Sequence, residues 1–375
     1  MNQATVEFRH VSKQYGPQGA VNDLSLLVPA GEICVLVGPS GCGKTTSLKM
    51  VNRLVEPTSG QVLIDDQDVM TVDVTELRRR IGYVIQQTGL FPHQTIAENV
   101  ATVPKLLGWQ KQRIRARVEE LLELIGLEPT RVRDRYPSQL SGGERQRVGV
   151  ARAMAAEPPV MLMDEPFGAV DPIVRERLQN EFLRLHRTLG TTVLFVTHDI
   201  DEAIKMGDRV AVMQQGGRLA QFAPPTELLL QPANDFVARF VGVDRGLKRL
   251  TLLKVSDVGL EQAPVARIGE DAAAVRRRAG DTPWVLLLDH AERPQGWLNP
   301  AQLRTGMLAA DAVDPSSPIV TFETTLRDAL SMLLASAVQT AVVVDEHGRY
   351  TGVLTLDALG TAFRSAPENE TADVA

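Results

Sequence analysis

Residues 33–46 have the sequence ICVLVGPSGCGKTT and join a continuous apolar run to a glycine-rich turn. Gly38, Gly43, Lys44 and Thr45 satisfy the pattern G-x-x-x-x-G-K-[ST], which is the phosphate-binding loop. A chance match somewhere in a chain of this length has a probability of roughly 1 to 2%. An apolar run of this kind predicts a strand that is covered on both faces. The stretch therefore predicts a strand, a phosphate-binding loop and a helix within an α/β fold that has a wound parallel sheet.

The residue types in this loop suit bound phosphate. Glycines let backbone N–H groups turn inward around phosphate oxygens, and the following helix directs its positive end at the same place. Lys44 is expected to bridge the terminal phosphates, and the Thr45 hydroxyl to ligate Mg²⁺. The alternative is a glycine-rich turn with an exposed lysine. The predicted nucleotide-binding residues of the loop are Gly38, Ser40, Gly41, Cys42, Gly43, Lys44, Thr45 and Thr46.

Cys42 is one of only two cysteines in the chain, and it lies at the N-terminus of the predicted helix. Such a position lowers the pKa of a thiol. We therefore expect alkylation of Cys42 to block nucleotide binding unless ATP is present.

A pair of carboxylates follows another apolar run. Asp164 and Glu165 end the stretch PPVMLMDEP, and the carboxyl ends of parallel strands meet at one edge of a sheet. We expect the pair to lie near the phosphate loop, where Asp164 can hold Mg²⁺ and Glu165 can polarise a water for in-line attack on the γ-phosphate. The alternative is that DEP begins a helix, with Pro166 in its first turn.

A second anion site is predicted at Ser141. Ser141 and Glu144 have the S-x-x-E spacing of a capping box, and Gly142 and Gly143 follow the cap. A capped helix N-terminus with two glycines can bind an anion. Since the phosphate loop already serves the chain's own nucleotide, this site raises the question of whose phosphate it binds.

Residues 140–148, LSGGERQRV, resemble the signature sequence of ATP-binding cassette (ABC) ATPases. The order of motifs agrees with that family. It has a candidate Q-loop glutamine at Gln86 in GYVIQQTGLFPH, with Gln87 as the alternative, a D-loop aspartate at Asp171 and a switch histidine at His198. The resemblance implies that Gln86 senses Mg²⁺ and that His198 positions the γ-phosphate and the attacking water. A plain N-cap role is the alternative for His198.

The resemblance covers about residues 5–242 and implies a P-loop ABC ATPase with a helical subdomain at about residues 88–155. It implies ATP and Mg²⁺ as cofactors, and a head-to-tail homodimer in which the Ser141–Gly143 region of one subunit closes over the γ-phosphate held by the other. Tyr15, in KQYG, matches the aromatic residue that stacks on adenine. The alternative for this tyrosine is a partly buried position on a strand edge.

Composition and charge restrict the function further. The chain has 375 residues, of which 44% are hydrophobic and 23% charged, as in ordinary globular proteins with two or three domains. Its net charge of −6 argues against nucleic acid as a partner. Two cysteines favour a reducing compartment. No export signal or run of about 18 apolar residues is evident, so another chain must span any membrane at which the protein works.

The expected domains are the cassette at residues 1–242, a regulatory part at 243–365 and a disordered tail at 366–375. In the second part, VLLLDHAERPQGWLNPAQL from Val285 aligns without gaps to AVVVDEHGRYTGVLTLDAL from Ala341. Each copy predicts a strand, a turn, a strand and then a helix. The pair resembles an α+β tandem of cystathionine-β-synthase (CBS) modules. The alternative is that any two units made of a hairpin and a helix look alike.

Within the ABC family, the chain resembles the ATPase subunits of quaternary-amine importers through QQTGLFPHQTIAENV, DRGLKRL and the C-terminal pair. This resemblance implies an ATPase that powers uptake of glycine betaine, choline or carnitine. It would lie peripherally on the cytoplasmic side of the membrane with integral permease subunits and, indirectly, an extracytoplasmic solute-binding protein. The alternatives are an importer for another small solute, such as an amino acid, and a soluble ABC ATPase without a transport role.

Two features of the second part bear on regulation. Ligand-binding CBS modules commonly have Thr or Ser followed three residues later by Asp, whereas Thr355 is followed at that distance by Ala358, and the first copy has Asn299 and Pro300. This departure favours a structural or osmotic-sensing role over an adenine-nucleotide site. The run at residues 276–278, three arginines, is a candidate patch for anionic lipid, with a solvated face as the alternative.

Overall fold

The computed structural model describes residues 3–85, 89–168, 171–280, 282–303, 305–309, 318–336 and 338–364. The chain forms two compact units, Met1–Val243 and Asp244–Ala375. Among the described residues, no helix combines the length and the apolar character needed to cross a bilayer.

The first unit contains ten strands and eleven helices within its described residues. The strands are β1 Val6–Tyr15, β2 Gln18–Val28, β3 Ile33–Val37, β4 Ser59–Ile64, β5 Gln67–Asp68, β6 Ile81–Val84, β7 Val160–Asp164, β8 Thr192–Thr197, β9 Arg209–Gln214 and β10 Arg218–Ala223. The helices are α1 Lys44–Val51, α2 Val74–Arg79, α3 Ile96–Val100, α4 Thr102–Leu106, α5 Lys111–Leu124, α6 Pro129–Val132, α7 Gly142–Met154, α8 Pro172–Leu189, α9 Ile200–Met206, α10 Pro225–Leu230 and α11 Asp235–Val241.

The central sheet of this unit has the strand order β10-β9-β3-β8-β7-β6. All neighbours pair in parallel except β9 and β10. Every residue of β3, β7 and β8 is buried, which explains why these strands appear in the sequence as continuous apolar runs. Val37 pairs with Thr197 and Asp164 pairs with Val196. The carboxyl ends of the three strands therefore lie together at one edge of the sheet, as predicted.

A four-stranded antiparallel sheet, in the order β2-β1-β4-β5, accompanies the central sheet. One core joins the two sheets and helix α1. It includes Phe8 and Leu24 from the antiparallel sheet, Leu36 and Leu162 from the central sheet, and Leu48 from α1. Because the phosphate loop joins β3 to α1, this core fixes both ends of the loop.

Helices α3 to α7 occupy the segment between β6 and β7, where the sequence predicted a helical subdomain. The long helix α5 buries one face, and Gly126 follows it with φ +69°. A capping box at Thr95 and Glu98 begins α3, and a second, at Ser141 and Glu144, begins α7. The predicted box at Ser141 is therefore present in the structure.

The second unit contains two similar three-stranded sheets, in the orders β11-β12-β13 and β14-β15-β16. In each sheet the first pair of strands is parallel and the second antiparallel. The elements are α12 Arg245–Arg249, β11 Val265–Arg267, α13 Ala272–Ala279, β12 Val285–Leu288, β13 Pro294–Leu298, β14 Ile319–Thr321, α14 Leu326–Ala335, β15 Thr340–Val344, β16 Tyr350–Thr355 and α15 Leu356–Arg364. Side chains of the two sheets share one apolar cluster, including Leu286, Trp297, Val342 and Val353, so the repeated copies pack on each other.

The two copies differ after their second strand. The second copy continues into α15, as predicted, but the first forms only a single 3-10 turn, Pro300–Gln302, so the predicted helix there is wrong. The Asn299 side chain caps the turn by accepting from the Ala301 N–H over 3.0 Å, but the turn ends at Leu303, whose ψ of +127° is extended rather than helical. Gly306, with φ +133°, has a backbone conformation that a continuing helix does not allow.

Candidate functional site

The phosphate loop is a tight turn whose glycines are required by its geometry. Gly38 and Gly43 have φ of +155° and +95°, and a Cβ atom on either would approach a carbonyl oxygen, that of Met213 at 2.2 Å or that of Ala20 at 2.3 Å. Gly41 has φ +80° but faces open space. The loop therefore presents backbone rather than side chains, as a cradle for phosphate oxygens requires.

Lys44 lies at the centre of this loop. Its side chain is 7% exposed, and Nζ donates hydrogen bonds to the Gly38 carbonyl over 2.7 Å and to the Pro39 carbonyl over 3.0 Å. Ser40 is exposed on the loop and Thr46 is half-buried in the first turn of α1. The ammonium group is thus held where the loop closes, which suits binding of terminal phosphates.

The predicted lowering of the Cys42 thiol pKa is wrong. The side chain is fully buried, and burial raises the pKa of the thiol above its usual value, although Lys44 opposes this shift. The thiol lies 3.8 Å from Lys44 Nζ. Desolvation outweighs the helix N-terminus because the cysteine faces into the core of the unit rather than towards the solvent.

Thr45 and Asp164 meet across the edge of the central sheet. The Thr45 hydroxyl donates to Asp164 Oδ1 over 3.0 Å. Burial raises the pKa of Asp164, and the hydrogen bond from Thr45 partly opposes this shift. A hydroxyl and a carboxylate supply the oxygen ligands that Mg²⁺ prefers, and a cation would stabilise a carboxylate that burial disfavours. The residues present therefore fit Mg²⁺, as the sequence predicted.

Glu165 has an unusual backbone conformation. Its φ is +44°, and its N–H donates to the Val196 carbonyl over 2.9 Å. The residues after it form a turn closed by a hydrogen bond from the Gly168 N–H to the Glu165 carbonyl over 3.1 Å. No helix begins at Pro166, which removes the alternative interpretation of DEP.

His198 contacts this carboxylate directly. Its Nδ1 lies 3.0 Å from Glu165 Oε1. The N-cap of α9 is Asp199, whose side chain accepts from the backbone N–H groups of Asp201 and Glu202. His198 is therefore not needed as a cap, and its ring lies where it can contact a bound γ-phosphate or water beside Glu165.

The signature segment begins α7. Ser141 Oγ accepts from the Glu144 N–H over 3.3 Å, and the Glu144 carboxylate accepts from the Ser141 N–H over 2.9 Å. Ser141 and Gly142 are exposed, and Gly143 is half-buried. The helix N-terminus is thus capped by its own side chains and faces solvent with two glycines.

The remaining predicted site residues lie apart from these hydrogen bonds. Tyr15 is 52% exposed at the end of β1, as a stacking platform would be, and Lys13 Nζ lies 5.1 Å from the centre of its ring. Asp171 caps α8 by accepting from the Val174 N–H over 3.1 Å. Gln86 and its alternative Gln87 lie outside the described residues.

One residue that the sequence did not single out contacts the site. The buried side-chain amide of Gln146, on α7, donates to the carbonyl oxygen of Pro166, directly after Glu165. Gln146 shares a buried helical stripe with Gly149, Val150 and Ala153. A glutamine on an apolar stripe was the available signal, because a buried amide requires a partner.

In the second unit, the polar groups that were considered as ligand sites have structural partners. Thr355 Oγ1 donates to Glu261 over 2.9 Å and accepts from the Ala358 N–H over 3.2 Å at the start of α15. Arg276 donates to the carbonyls of Pro300 and Leu303. Two of these groups thus hold the domain's own backbone.

Arg278 has a similar role. It donates to the Val265 carbonyl over 2.9 Å and to Glu270 over 2.8 Å. Of the three arginines proposed as a lipid patch, at least two are therefore tied to the domain itself.

Comparisons with known proteins agree with this geometry. The ABC transporter family model matches residues 21–168, and the CBS domain model matches residues 309–363. The osmoprotectant import ATP-binding protein OsmV of Salmonella typhimurium is 47% identical, with 95% of this chain and 94% of that protein aligned. The carnitine transport ATP-binding protein OpuCA of Listeria monocytogenes is 43% identical over 97% and 96% of the two chains.

Among solved structures, the dimeric structure of MJ0796, a bacterial ABC transporter cassette, is 34% identical and covers 59% of this chain and 98% of its own, with a TM-score of 0.53. A post-hydrolysis dimer of the same cassette, bound to ADP and Pi, matches equally well. These similarities confirm the predicted fold class and the predicted resemblance. The chain therefore belongs to the ABC transporter family and is an ATP-binding ATPase with a C-terminal CBS domain.

Proposed function

We propose that this chain is the ATPase subunit of an importer for a small osmoprotectant of the quaternary-amine class. The observation that supports the solute class is similarity over both units, at 47% identity and 95% of the chain, to an osmoprotectant import protein. The carnitine and choline transport proteins that align with the chain at 43% identity over 97% and 93% of its length favour the same class.

Nucleotide binding is assigned to the phosphate loop. The backbone N–H groups of residues 38–46 surround the phosphates, and Lys44 moves its hydrogen bonds from loop carbonyls to phosphate oxygens. Tyr15, exposed at the end of β1, stacks on the adenine ring. These roles need no rearrangement of the sheet, because the loop is closed by the packing of α1 beneath it.

Thr45 and Asp164 hold Mg²⁺, with Gln86 as a further ligand on the grounds of the sequence alone. The ion, when bound, neutralises charge on the β- and γ-phosphates. A bound nucleotide would supply further oxygen ligands to the ion through its phosphates.

Glu165 acts as the general base. Its carboxylate accepts a proton from the water that attacks the γ-phosphate, and His198, 3.0 Å away, orients the carboxylate and contacts the γ-phosphate. General-base catalysis of this kind contributes about 10²–10⁴ in rate.

The complete site requires a second copy of the chain. In the proposed head-to-tail homodimer, Ser141, Gly142 and Gly143 of one subunit close over the γ-phosphate held by the other. Asp171, at the N-terminus of α8, belongs to the segment that lies between the two sites. The dimeric cassettes that resemble this chain support the arrangement. ATP binding then favours the closed dimer, and hydrolysis releases it.

The dimer is proposed to act on the cytoplasmic face of the membrane through integral permease subunits. An extracytoplasmic solute-binding protein would deliver the solute to those subunits. Because the cassette itself does not contact the solute, the solute class is inferred from relatives and not from the site.

The catalytic assignment predicts that Glu165→Gln retains ATP binding and loses turnover by about 10²–10⁴. Phosphate release and binding of a fluorescent ATP analogue, measured on the full chain, test this directly. Glu157→Gln is a matched control, because Glu157 is half-exposed and pairs with Arg113 away from the phosphate loop. Normal hydrolysis by the Glu165 variant would overturn the assignment.

The solute class is tested by uptake. Cells that express the chain with its neighbouring permease and binding protein should accumulate labelled glycine betaine, choline or carnitine in high-osmolarity medium. Glu165→Gln cells provide the inactive control. Uptake of an amino acid in place of these compounds would leave the ATPase assignment intact and refute the proposed solute class.

A further inference from the structure

We propose that Gln146 is a positioning residue that couples the signature segment of α7 to the catalytic carboxylate of the same chain. The inference rests on the proposed function, because it assumes that Glu165 is the base and that the signature segment engages the nucleotide held by the partner subunit. It assigns a role to a residue that contacts neither nucleotide.

The first observation is where Gln146 makes its hydrogen bond. The side chain is 4% exposed, and its amide donates to the carbonyl oxygen of Pro166. Pro166 is the residue directly after Glu165. A buried amide that loses its partner is costly, so this contact ties α7 firmly to the turn that holds the base.

The second observation is that the turn is supported from its other side by β8. The Glu165 N–H donates to the Val196 carbonyl over 2.9 Å, and Phe167, 2% exposed, contacts Phe195 with their ring centres 5.9 Å apart. Strand β8 leads to His198. The base is thus held between a fixed strand of the sheet and a helix of the helical subdomain.

The third observation is that the same helix begins with the signature glycines. Gln146 follows Gly143 by three residues, which is about 4.5 Å along a helix axis. Further along α7, Arg152 donates to the Gly89 carbonyl over 2.6 Å, so the helix also contacts the segment that follows the predicted Q-loop. The signature glycines and the residue that contacts the Glu165 turn are therefore only about one turn of α7 apart.

These contacts link two nucleotides through one rigid element. When the signature segment of a subunit engages the partner's γ-phosphate, α7 moves, and Gln146 transmits that movement to the subunit's own Glu165. Each base is then placed for reaction only when both nucleotides are present. The consequence is positive cooperativity in ATP hydrolysis that depends on one side-chain hydrogen bond.

The test is Gln146→Met, which removes the donor while keeping a similar length and volume. In the full-length chain, kcat should fall about fivefold to tenfold, as expected for loss of one hydrogen bond in the transition state. The KM for ATP should change less than twofold, and the Hill coefficient for ATP should fall towards 1. Gln146→His, which retains a ring N–H donor, should recover part of both losses.

Gln179→Met is the matched control. Gln179 is also a buried glutamine, 5% exposed, and its amide donates to Glu202 over 2.9 Å, which joins α8 to α9 rather than α7 to the catalytic turn. This variant should keep the wild-type kcat and Hill coefficient, even if its melting temperature is lower.

Wild-type kcat and cooperativity in Gln146→Met, or equal losses in Gln146→Met and Gln179→Met, would overturn the inference. If Gln146→Met does not fold, Gln146→Leu, which also lacks a donor, replaces it in the same comparison. Glu165→Gln distinguishes a failure of the coupling role of Gln146 from a failure of the proposed function. If that variant loses turnover while the Gln146 variants do not change, only the coupling role is refuted; if it hydrolyses ATP normally, the proposed function itself fails.

Discussion

Gly43→Ala should destabilise the first unit more than an ordinary glycine substitution in a loop. The backbone of Gly43 has φ +95°, and an added Cβ would lie 2.3 Å from the Ala20 carbonyl oxygen and 3.0 Å from Val21 Cγ2. The left-handed conformation costs an alanine about 1–2 kcal/mol. Forcing a methyl group against fixed backbone costs about 1–3 kcal/mol more, so the expected total is about 2–5 kcal/mol.

Gly41→Ala separates these two costs. Gly41 has a similar φ of +80° in the same loop, but no atom lies within 4 Å of the position that its Cβ would occupy. Only the conformational cost of about 1–2 kcal/mol should apply. The difference in unfolding free energy between the two variants therefore measures the cost of placing a methyl group against the Ala20 carbonyl oxygen.

Hydrogen exchange of peptides from β3 and β8 reports the free energy of opening of the first unit separately from that of the second. Gly43→Ala should lower this free energy by about 1–3 kcal/mol more than Gly41→Ala does. Equal effects in the two variants would refute the argument that the loop is held against the antiparallel sheet at Gly43.

Two further predictions concern the thiol at the phosphate loop and the turns of the second unit. Cys42 should react with an uncharged alkylating reagent far more slowly than a free thiol at pH 8, with or without ATP, because the thiol is buried and its pKa is raised. Mass spectrometry of the labelled chain measures this rate. Fast labelling would contradict the buried position. Hydrogen bonds from backbone N–H groups, those of Arg293 and Arg349 first, lower the pKa of Asp289 and Asp345 below the usual 3.8. The stability that these carboxylates contribute is therefore present above pH about 4 and is lost as the pH falls through their lowered pKa values. In a variant with both residues changed to Asn, the protection of second-unit amides against hydrogen exchange should decline less steeply between pH 5 and 2.

The sequence was sufficient for the central sheet and for most of the catalytic edge because both depend on local patterns. Continuous apolar runs predicted β3 and β7, and parallel pairing of these strands predicted that Asp164 would lie near the phosphate loop. The observed hydrogen bond between Thr45 and Asp164 follows from parallel pairing, which brings carboxyl ends to one edge. No long-range information was needed beyond the assumption of a single sheet.

Local patterns were insufficient where packing decided the outcome. The helix N-terminus at Cys42 suggested a reactive thiol, but the side chain faces the core, and desolvation raises its pKa. The repeat predicted a helix after β13, whereas the chain forms a single 3-10 turn that ends at Leu303 in an extended conformation. In both cases the local sequence pattern did not contain the packing and backbone conformation that decided the outcome.

The contacts of α7 explain why a cassette can be stable and still respond to a partner. The phosphate loop and Asp164 are fixed by strands that a buried parallel sheet holds in register, whereas Glu165 lies in the turn after β7 that Gln146 contacts. The signature glycines lie on α7, which contacts this edge through the hydrogen bonds of Gln146 to Pro166 and Arg152 to Gly89 and also buries apolar side chains such as Val148 and Met154. These α7 residues do not belong to the core that joins the two sheets to α1. The helix can therefore shift on nucleotide binding without disturbing the core that positions Lys44 and Thr45.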